Sequence, residues 1–217
     1  MLTEYYNGSL ITLVPKHDSA IRVYDFRPIS LLNTLVKIIT KLLANRLQML
    51  LPQIIRTNQY VFIKHRCIQD CLAWSLLFLH LCHQSKREIV ILKLDFEKAF
   101  DKVEHNLMIR IMEQKGFPDK RIQWMHLIFN SGTFAVILNG VKGKTFHFKR
   151  GVRQGDPLSP LLFVLAADFL QDLLNSAREH GLLSLPVPLP RSQDFPVLQY
   201  ANDTLIFTKA DARELFS

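Results

Sequence analysis

Two features of the sequence most constrain the fold. The first is an apolar run that ends in an aspartate, and the second, far along the chain, is a pair of strand-like segments around an acidic turn. The run consists of Ile89, Val90, Ile91, Leu92 and Leu94, and it predicts a buried strand that closes at Asp95. Val197–Tyr200 and Thr204–Phe207 predict two more strands around Ala201-Asn202-Asp203. Strands from distant parts of a chain, separated by helical segments, favour an α+β fold.

The remaining segments predict helices, one early strand and one hairpin. A strand is predicted at Ile11–Val14, helices at Gln69–His83, Asn106–Gln114, Asp119–Asn130 and Pro160–Arg178, and a hairpin that pairs Phe134–Asn139 with Lys144–Phe148 around Asn139-Gly140. Ser30 is the predicted N-cap of a long apolar helix that Pro52 ends. Gly181 is predicted to close the helix that begins near Pro160. The proline-rich stretch Leu182–Phe195 is predicted to be a surface connection.

The positive charge of the chain is unevenly distributed. The net charge is +8, and residues 1–87 hold 11 basic against 4 acidic residues, whereas residues 88–217 hold 16 against 15. A basic part joined to a nearly neutral part is typical of a protein that grips a polyanion, although a plain solubility surface would give the same count.

Composition also bears on location and on metal sites. Met1–Leu10 is polar and does not predict a secretory signal. Lys37, Lys41, Asn45 and Arg46 interrupt the apolar stretch Leu31–Leu51, so we expect no membrane span. The expected location is intracellular, nuclear or cytoplasmic. Cys67, Cys71 and Cys82 do not predict a disulfide framework. A zinc site with His80 and His83 fits no recognised spacing, and packed, reduced thiols are favoured.

Three segments could carry chemistry. Asp95, at the end of its strand, would bind a divalent metal in a phosphoryl-transfer site, or else would cap the next helix or pair with a lysine. The loop Arg150–Asp156 has two glycines that would let a ligand approach the backbone, or that simply form a tight turn. The turn Ala201-Asn202-Asp203 could present acidic side chains to a metal, although taken alone it is ordinary turn chemistry.

Taken together, the order and spacing of these segments resemble the palm of reverse transcriptases. Four stretches look like those of non-LTR (long interspersed element) retrotransposons, plant copies above all: Asp25–Asn33, Phe62–Arg66, Leu94–Val103 and Gly151–Pro160. The resemblance runs from about residue 11 to residue 207. It implies a right-hand polymerase fold with a fingers part at residues 1–87 and a palm at residues 88–217, in which an antiparallel sheet packs on helices.

The resemblance further implies RNA-directed DNA synthesis by two-metal nucleotidyl transfer. The expected cofactor is Mg²⁺, and the expected partners are an RNA template, a DNA primer and a deoxynucleoside triphosphate. By matched position, Asp95, the backbone carbonyl of Phe96 and Asp203 would bind metal. The expected nucleotide-binding residues are Lys64, Arg66, Phe100, Gln154 and Gly155, and the expected nucleic-acid-binding residues are Arg27, Arg150 and Arg153.

The chain departs from the family pattern at positions that matter. Asn202 stands where the family has the first of two consecutive aspartates, so we expect a loss of rate of about 10²-fold or greater. His65 and Cys71 replace a usual glycine and a usual asparagine. We also expect the thumb to be missing. The alternatives are an inactive remnant that still binds nucleic acid, another palm enzyme such as a nucleotide cyclase, and a fragment that does not fold stably.

Overall fold

The computed structural model describes residues 6–189 and 194–211 as a mixture of helices and two β-sheets, which confirms the α+β fold class. The chain divides into two compact units. The first unit comprises Met1–Met49 and Lys98–Phe163, and the second comprises Leu50–Glu97 and Val164–Ser217. Each unit is thus assembled from two separate stretches, and the functional division at residue 87 stays a prediction.

The elements are given in chain order. The strands are β1 (Gly8–Pro15), β2 (Phe26–Leu32), β3 (Ile89–Asp95), β4 (Thr133–Leu138), β5 (Val141–Lys142), β6 (Val197–Tyr200) and β7 (Asp203–Lys209). The helices are α1 (Thr34–Ile54), α2 (Ile68–Gln84), α3 (Ala99–Lys102), α4 (His105–Gln114), α5 (Asp119–Asn130) and α6 (Ser159–Glu179). β2 and α3 were not predicted, and β5 precedes the return strand predicted at Lys144–Phe148, whereas the other elements lie close to their predicted positions.

The first unit contains a sheet with the strand order β2-β1-β4-β5. β1 pairs with β2 in antiparallel register and with β4 in parallel register. The predicted hairpin at Asn139-Gly140 is confirmed, because both residues have positive φ (50° and 80°) and Leu138 pairs with Val141. Its return strand is Val141–Lys142 and not the predicted Lys144–Phe148, in which Phe146 forms an isolated bridge to Phe134.

The second unit contains an antiparallel sheet with the order β3-β7-β6. Phe207 of β7 packs beneath α2, where the rings of Trp74 and Phe78 stack with centroids 4.9 Å apart. Cys82 is buried in the same cluster, as expected for a packed thiol. An antiparallel sheet covered by an apolar helix is the arrangement that the sequence predicted for the palm.

Two predictions about α1 are wrong. Ser30 lies inside β2, where its backbone N–H bonds to the carbonyl of Gln154, and Asn33 instead accepts a hydrogen bond from Leu35 N over 3.0 Å. Pro52 lies within the last turn of α1 and does not end it. A proline there removes only one backbone donor, and Ile55 N still donates to the carbonyl of the residue four positions earlier.

β3 is not the buried strand that its sequence predicted. Ile91 and Leu92 are 44% and 38% exposed, and Asp95 is also exposed. The reason is position, because β3 is the edge strand of its sheet and pairs only with β7. The argument that a buried Asp95 must be compensated therefore fails, and the role of this residue has to be judged from its neighbours.

Helix α6 contributes to the core of the second unit, and so does the connection that follows it. Pro186, Val187 and Phe195 are buried, so the predicted surface connection is wrong for these residues, whereas residues 190–193 lie outside the described part of the chain. α6 is long and apolar enough in composition to cross a membrane. Asp168 and Gln171 of α6 are nevertheless fully buried and hydrogen-bonded to Arg56 and Asn58, as in a packed core helix.

Candidate active site

The β6–β7 hairpin presents the predicted acidic turn at one end of the second unit's sheet. Tyr200 pairs with Asp203, which leaves Ala201 and Asn202 as a two-residue turn. Ala201 has a φ of 57°, a left-handed conformation that non-glycine residues adopt at a cost and that often occurs at functional sites. Asp203 also pairs with Asp95 on β3, so the sheet register places Asp203 between Asp95 and Tyr200.

The side chains at this end of the sheet interact with one another. Asn202 Nδ2 donates a hydrogen bond to Asp95 Oδ1 over 2.8 Å. Lys93 Nζ lies 3.9 Å from Asp203 Oδ1, and all of these groups except the half-exposed Asn202 are exposed. The structure therefore brings Asp95, Asn202 and Asp203 together, and it adds Lys93, which sequence reasoning did not select.

The donors present do not fit a pair of divalent cations. Two-metal sites hold their ions about 3.5–4 Å apart and need carboxylates that can bridge them. Within residues 6–189 and 194–211 there is no group of three or more His, Cys, Asp and Glu side chains that could hold a metal. The third side chain at this end of the sheet is the amide of Asn202, whose nitrogen donates to Asp95. The carbonyl of Phe96 remains a predicted ligand only.

Gln199, which the sequence analysis missed, anchors the β6–β7 hairpin through hydrogen bonds of its backbone and side chain. This residue is 1% exposed, its backbone N–H donates to Asn58 O over 2.9 Å, and its carbonyl accepts from Tyr60 N over 3.0 Å. Its Nε2 donates to Ala167 O over 3.0 Å. The stretch 58–60 therefore extends the sheet along the open edge of β6 and fixes the strand that leads into the turn. A glutamine inside an apolar strand pattern was the available signal.

Lys64, His65 and Arg66 form a tight loop in the second unit. Arg66 donates from its guanidinium to the carbonyls of Ile55 (2.9 Å) and Gln59 (2.7 Å), and burial lowers the pKa of this group. Its side chain holds the loop after α1, and its nucleotide-binding role stays a prediction. Lys64 is exposed and remains a candidate phosphate contact. His65 has a φ of 67°, which explains why the family uses glycine there.

Arg56 joins three carboxylates of the second unit, and no prediction included it. Its guanidinium contacts Asp168 at 3.4 Å and Asp194 at 3.2 Å, and it also bonds to Asp172. The backbone N–H of Arg56 donates to Asp168 Oδ1 over 3.1 Å. Since Asp168 is fully buried, Arg56 supplies it with a hydrogen-bonded counter-charge, and the charge of Arg66 also acts on it.

In the first unit, the two glycines of the loop Arg150–Asp156 lie against the protein's own backbone. A Cβ on Gly151 (φ 95°) would stand 2.9 Å from the carbonyl oxygen of Asp101, and one on Gly155 (φ 103°) would stand 3.0 Å from that of Ser30. The predicted approach of a ligand is therefore not the reason for glycine at these positions. The glycines instead allow the loop to dock on β2 and on the segment that contains α3.

This docking brings Phe100 and Gln154 into the same region of the first unit. Val152 N donates to Phe100 O over 2.8 Å, and Gln154 Nε2 contacts Asp101 Oδ1 at 3.5 Å. Burial raises the pKa of the Asp101 carboxyl. The ring of Phe100 stacks on Phe163, with centroids 4.7 Å apart. The nucleotide-binding roles of Phe100, Gln154 and Gly155 stay predictions, and so does the nucleic-acid-binding role of Arg27, which is exposed.

The two arginines of the same loop have different surroundings. Arg150 is exposed, as a contact to nucleic acid requires. Arg153 is only 7% exposed, donates to Asn7 Oδ1 over 2.7 Å and lies over the ring of Phe134. Burial lowers the pKa of Arg153 and raises that of Asp156. Arg153 therefore stabilises the interior of the first unit, and this placement does not support its predicted contact with nucleic acid.

Comparison with known proteins decides the family. Residues 14–215 match the family described as reverse transcriptase (RNA-dependent DNA polymerase). The chain belongs to the reverse transcriptase family. This family copies RNA templates and generally uses divalent metal ions.

Its relatives include proteins of non-LTR retrotransposons. Over 160 residues, the chain is 31% identical to the transposon TX1 uncharacterized 149 kDa protein of Xenopus laevis. Over 163 residues, it is 32% identical to the Pol polyprotein of the type-2 retrotransposable element R2DM of Drosophila melanogaster. These alignments cover 74% and 75% of this chain but only 12% and 15% of the relatives. The chain is thus a reverse transcriptase domain of the non-LTR type, matching a small part of much longer proteins.

The fold is also that of a solved reverse transcriptase. The structure of apo telomerase from Candida tropicalis, truncated from its C-terminal domain, superposes with a TM-score of 0.61. It covers 99% of this chain and 46% of the telomerase chain, at 13% sequence identity. The similarity confirms the fingers-and-palm polymerase fold that the sequence motifs implied.

Proposed function

We propose that this reverse transcriptase domain binds an RNA template, a DNA primer and a deoxynucleoside triphosphate, but transfers nucleotides poorly. The observation that carries the proposal is the hydrogen bond from Asn202 Nδ2 to Asp95 Oδ1. An aspartate at position 202 would place a third carboxylate at this end of the sheet. Asparagine supplies an N–H donor instead, and this donor occupies Asp95 Oδ1, an oxygen that a metal would need.

The charges of the site support the same proposal. Asp95 and Asp203 carry two negative charges, and Lys93 lies 3.9 Å from the second of them. A net charge near −1 attracts divalent cations much less than the −2 that one further carboxylate would restore. We expect a loss of rate of about 10²-fold or greater relative to an aspartate at position 202, by analogy with the removal of other principal electrostatic groups.

Binding of nucleic acid is the part of the function that we expect to persist. Residues 1–87 hold a surplus of seven basic residues, and Arg27, Lys64 and Arg150 are exposed. Contacts between such side chains and phosphates release counterions, so the affinity should fall steeply with salt. We place this activity inside the cell, nuclear or cytoplasmic, where an RNA template and nucleoside triphosphates are present.

A second candidate is a remnant that binds nucleic acid without any catalysis, and the amide at position 202 also favours it. The test is to measure binding of a labelled poly(rA)–oligo(dT) duplex at several salt concentrations together with Mg²⁺-dependent extension of its primer. Salt-sensitive binding with weak extension supports the first proposal, and binding with none at any enzyme concentration supports the remnant. Absence of binding at low salt would contradict both.

A further inference from the structure

α1 carries a second apolar stripe beside the one that it buries. Val36, Leu43, Leu47 and Leu51 are buried on one side of the helix. On the neighbouring side, four residues at the spacing i, i+3, i+4 and i+7 are 38–57% exposed, namely Leu35, Ile38, Ile39 and Leu42. A helix that is apolar on two adjacent faces needs a partner for each of them.

Ile39 and Leu42 of the exposed stripe form one wall of a groove in the first unit. Trp124 and Leu127 of α5 form the other wall, and the cavity between the helices has a volume of about 330 Å³. Leu127 is itself 45% exposed. A concave apolar groove between two helices accepts the ridge of side chains of a third helix, whereas a flat lipid surface would leave its floor uncovered.

The charges around the groove select among possible occupants. Arg46 lines it, Lys37 and Lys41 lie on the exposed flank of α1, and Lys120 lies over the ring of Trp124. α1 contains no aspartate or glutamate. A second copy of this chain would place the same basic side chains opposite those of the first copy, so repulsion between like charges opposes self-association.

We propose that this groove binds an amphipathic α-helix whose apolar stripe is flanked by acidic residues. Leucine-like side chains at i, i+3, i+4 and i+7 would enter the space between Leu42 and Leu127. Glutamates or aspartates beside them would face Arg46 and the lysines of α1. The site lies in the first unit and does not depend on catalysis at Asp95, so it can be tested whether or not the domain synthesises DNA.

The test measures binding of a defined helical peptide by fluorescence anisotropy. The probe has about 20 residues, with leucine at the four stripe positions and glutamate at the flanks, and a matched peptide carries lysine in place of glutamate. We expect the acidic peptide to bind at least about 10-fold more tightly than the basic one, and Leu42→Asp to weaken it at least about 10-fold. Leu81→Asp, at a leucine of α2 that is 49% exposed, is the control and should bind as the unaltered chain does.

Three results would overturn the proposal. The first is equal binding of the acidic and basic peptides, or of the unaltered chain and Leu42→Asp. The second is partition of the chain onto phosphatidylserine vesicles that Leu42→Asp abolishes, which would assign the stripe to a lipid surface. The third is a concentration-dependent dimer in sedimentation that Leu42→Asp dissolves, which would assign it to a second copy. Circular dichroism of the variant establishes that the substitution leaves the fold intact.

Discussion

Asn202 and Asp95, which are more than a hundred positions apart in the chain, are joined by a hydrogen bond of 2.8 Å at the end of the second unit's sheet. The bond gives the Asp95 carboxylate, a predicted metal ligand, a partner from the protein. An asparagine instead of an aspartate at position 202 therefore has two effects, since the site lacks one carboxylate and gains a donor directed at the carboxylate of Asp95. Both act against the binding of divalent cations.

Gly151→Ala should destabilise the first unit strongly. The new Cβ would stand 2.9 Å from Asp101 O, on a backbone with a φ of 95°. Gly140→Ala is the matched control, because it has a similar φ of 80° with nothing within 4 Å. We expect Gly140→Ala to lower the free energy of unfolding by about 1 kcal/mol and Gly151→Ala by at least about 2 kcal/mol more. Urea denaturation measures both, and equal effects would show that the loop has room to move away.

Arg56→Met should destabilise the second unit, because it removes the guanidinium that pairs with the fully buried Asp168. We expect the free energy of unfolding to fall by about 3 kcal/mol. Arg110→Met, at an exposed position of α4, is the control and should change it by less than about 0.5 kcal/mol. Chemical denaturation monitored by circular dichroism would refute the assignment if the two variants unfolded at the same midpoint.

Ionisation of Asp156 should lower the free energy of unfolding as the pH rises above the ordinary pKa range of aspartate. Burial raises the pKa of this carboxyl in the folded chain, so its stabilising contribution is complete below the unfolded pKa and is lost as the pH rises through the folded one. Asp156→Asn removes this ionisation while keeping an oxygen for Leu158 N.

The relevant measurement is the difference in free energy of unfolding between Asp156→Asn and the unaltered chain, from pH 4 to pH 7. We expect the difference to move in favour of the variant as the pH rises. A difference that is independent of pH would contradict the effect of burial. A move in favour of the unaltered chain would mean that the nearby Arg153 dominates.

His65→Gly should stabilise the second unit, since His65 has a φ of 67° and its side chain is exposed. Relief of the left-handed strain outweighs the greater freedom of glycine in the unfolded chain, so we expect a gain of about 0.5 kcal/mol. Lys64→Gly, next to it at an exposed position without positive φ, should lose about 0.5–1 kcal/mol. Thermal melts of both variants compare the two effects, and a loss for His65→Gly would disprove the strain.

Local patterns in the sequence predicted most of the fold. Apolar periodicity located α2, α4 and α5, and the Asn139-Gly140 pair located its hairpin, because these signals depend on residues close in the chain. Burial of β3 was mispredicted, since an apolar run does not reveal whether its strand lies at the edge or in the centre of a sheet. Ser30 was misassigned for a similar reason, as its strand partner Ile11 lies elsewhere in the chain.

The site was predicted only in part. Motif positions identified Asp95, Asn202 and Asp203, and the sheet register explains why they meet. Motifs could not reveal that Arg153 and Arg66 are held by neighbouring groups of their own units, because burial of a cation depends on partners such as Asn7 that are distant in the chain. Arg56 and Gln199 were missed for the same reason, as neither belongs to a recognised motif.

The most direct test of the central claim is Mg²⁺-dependent extension of the primer on poly(rA)–oligo(dT), with the unaltered chain compared with Asn202→Asp. Asn202→Ala is the matched control, because it removes the bond to Asp95 without supplying a carboxylate. The account predicts that Asn202→Asp extends the primer at least about 10²-fold faster than either of the others. Equal extension by the unaltered chain and Asn202→Asp would contradict the claim that Asn202 impairs this reverse transcriptase domain.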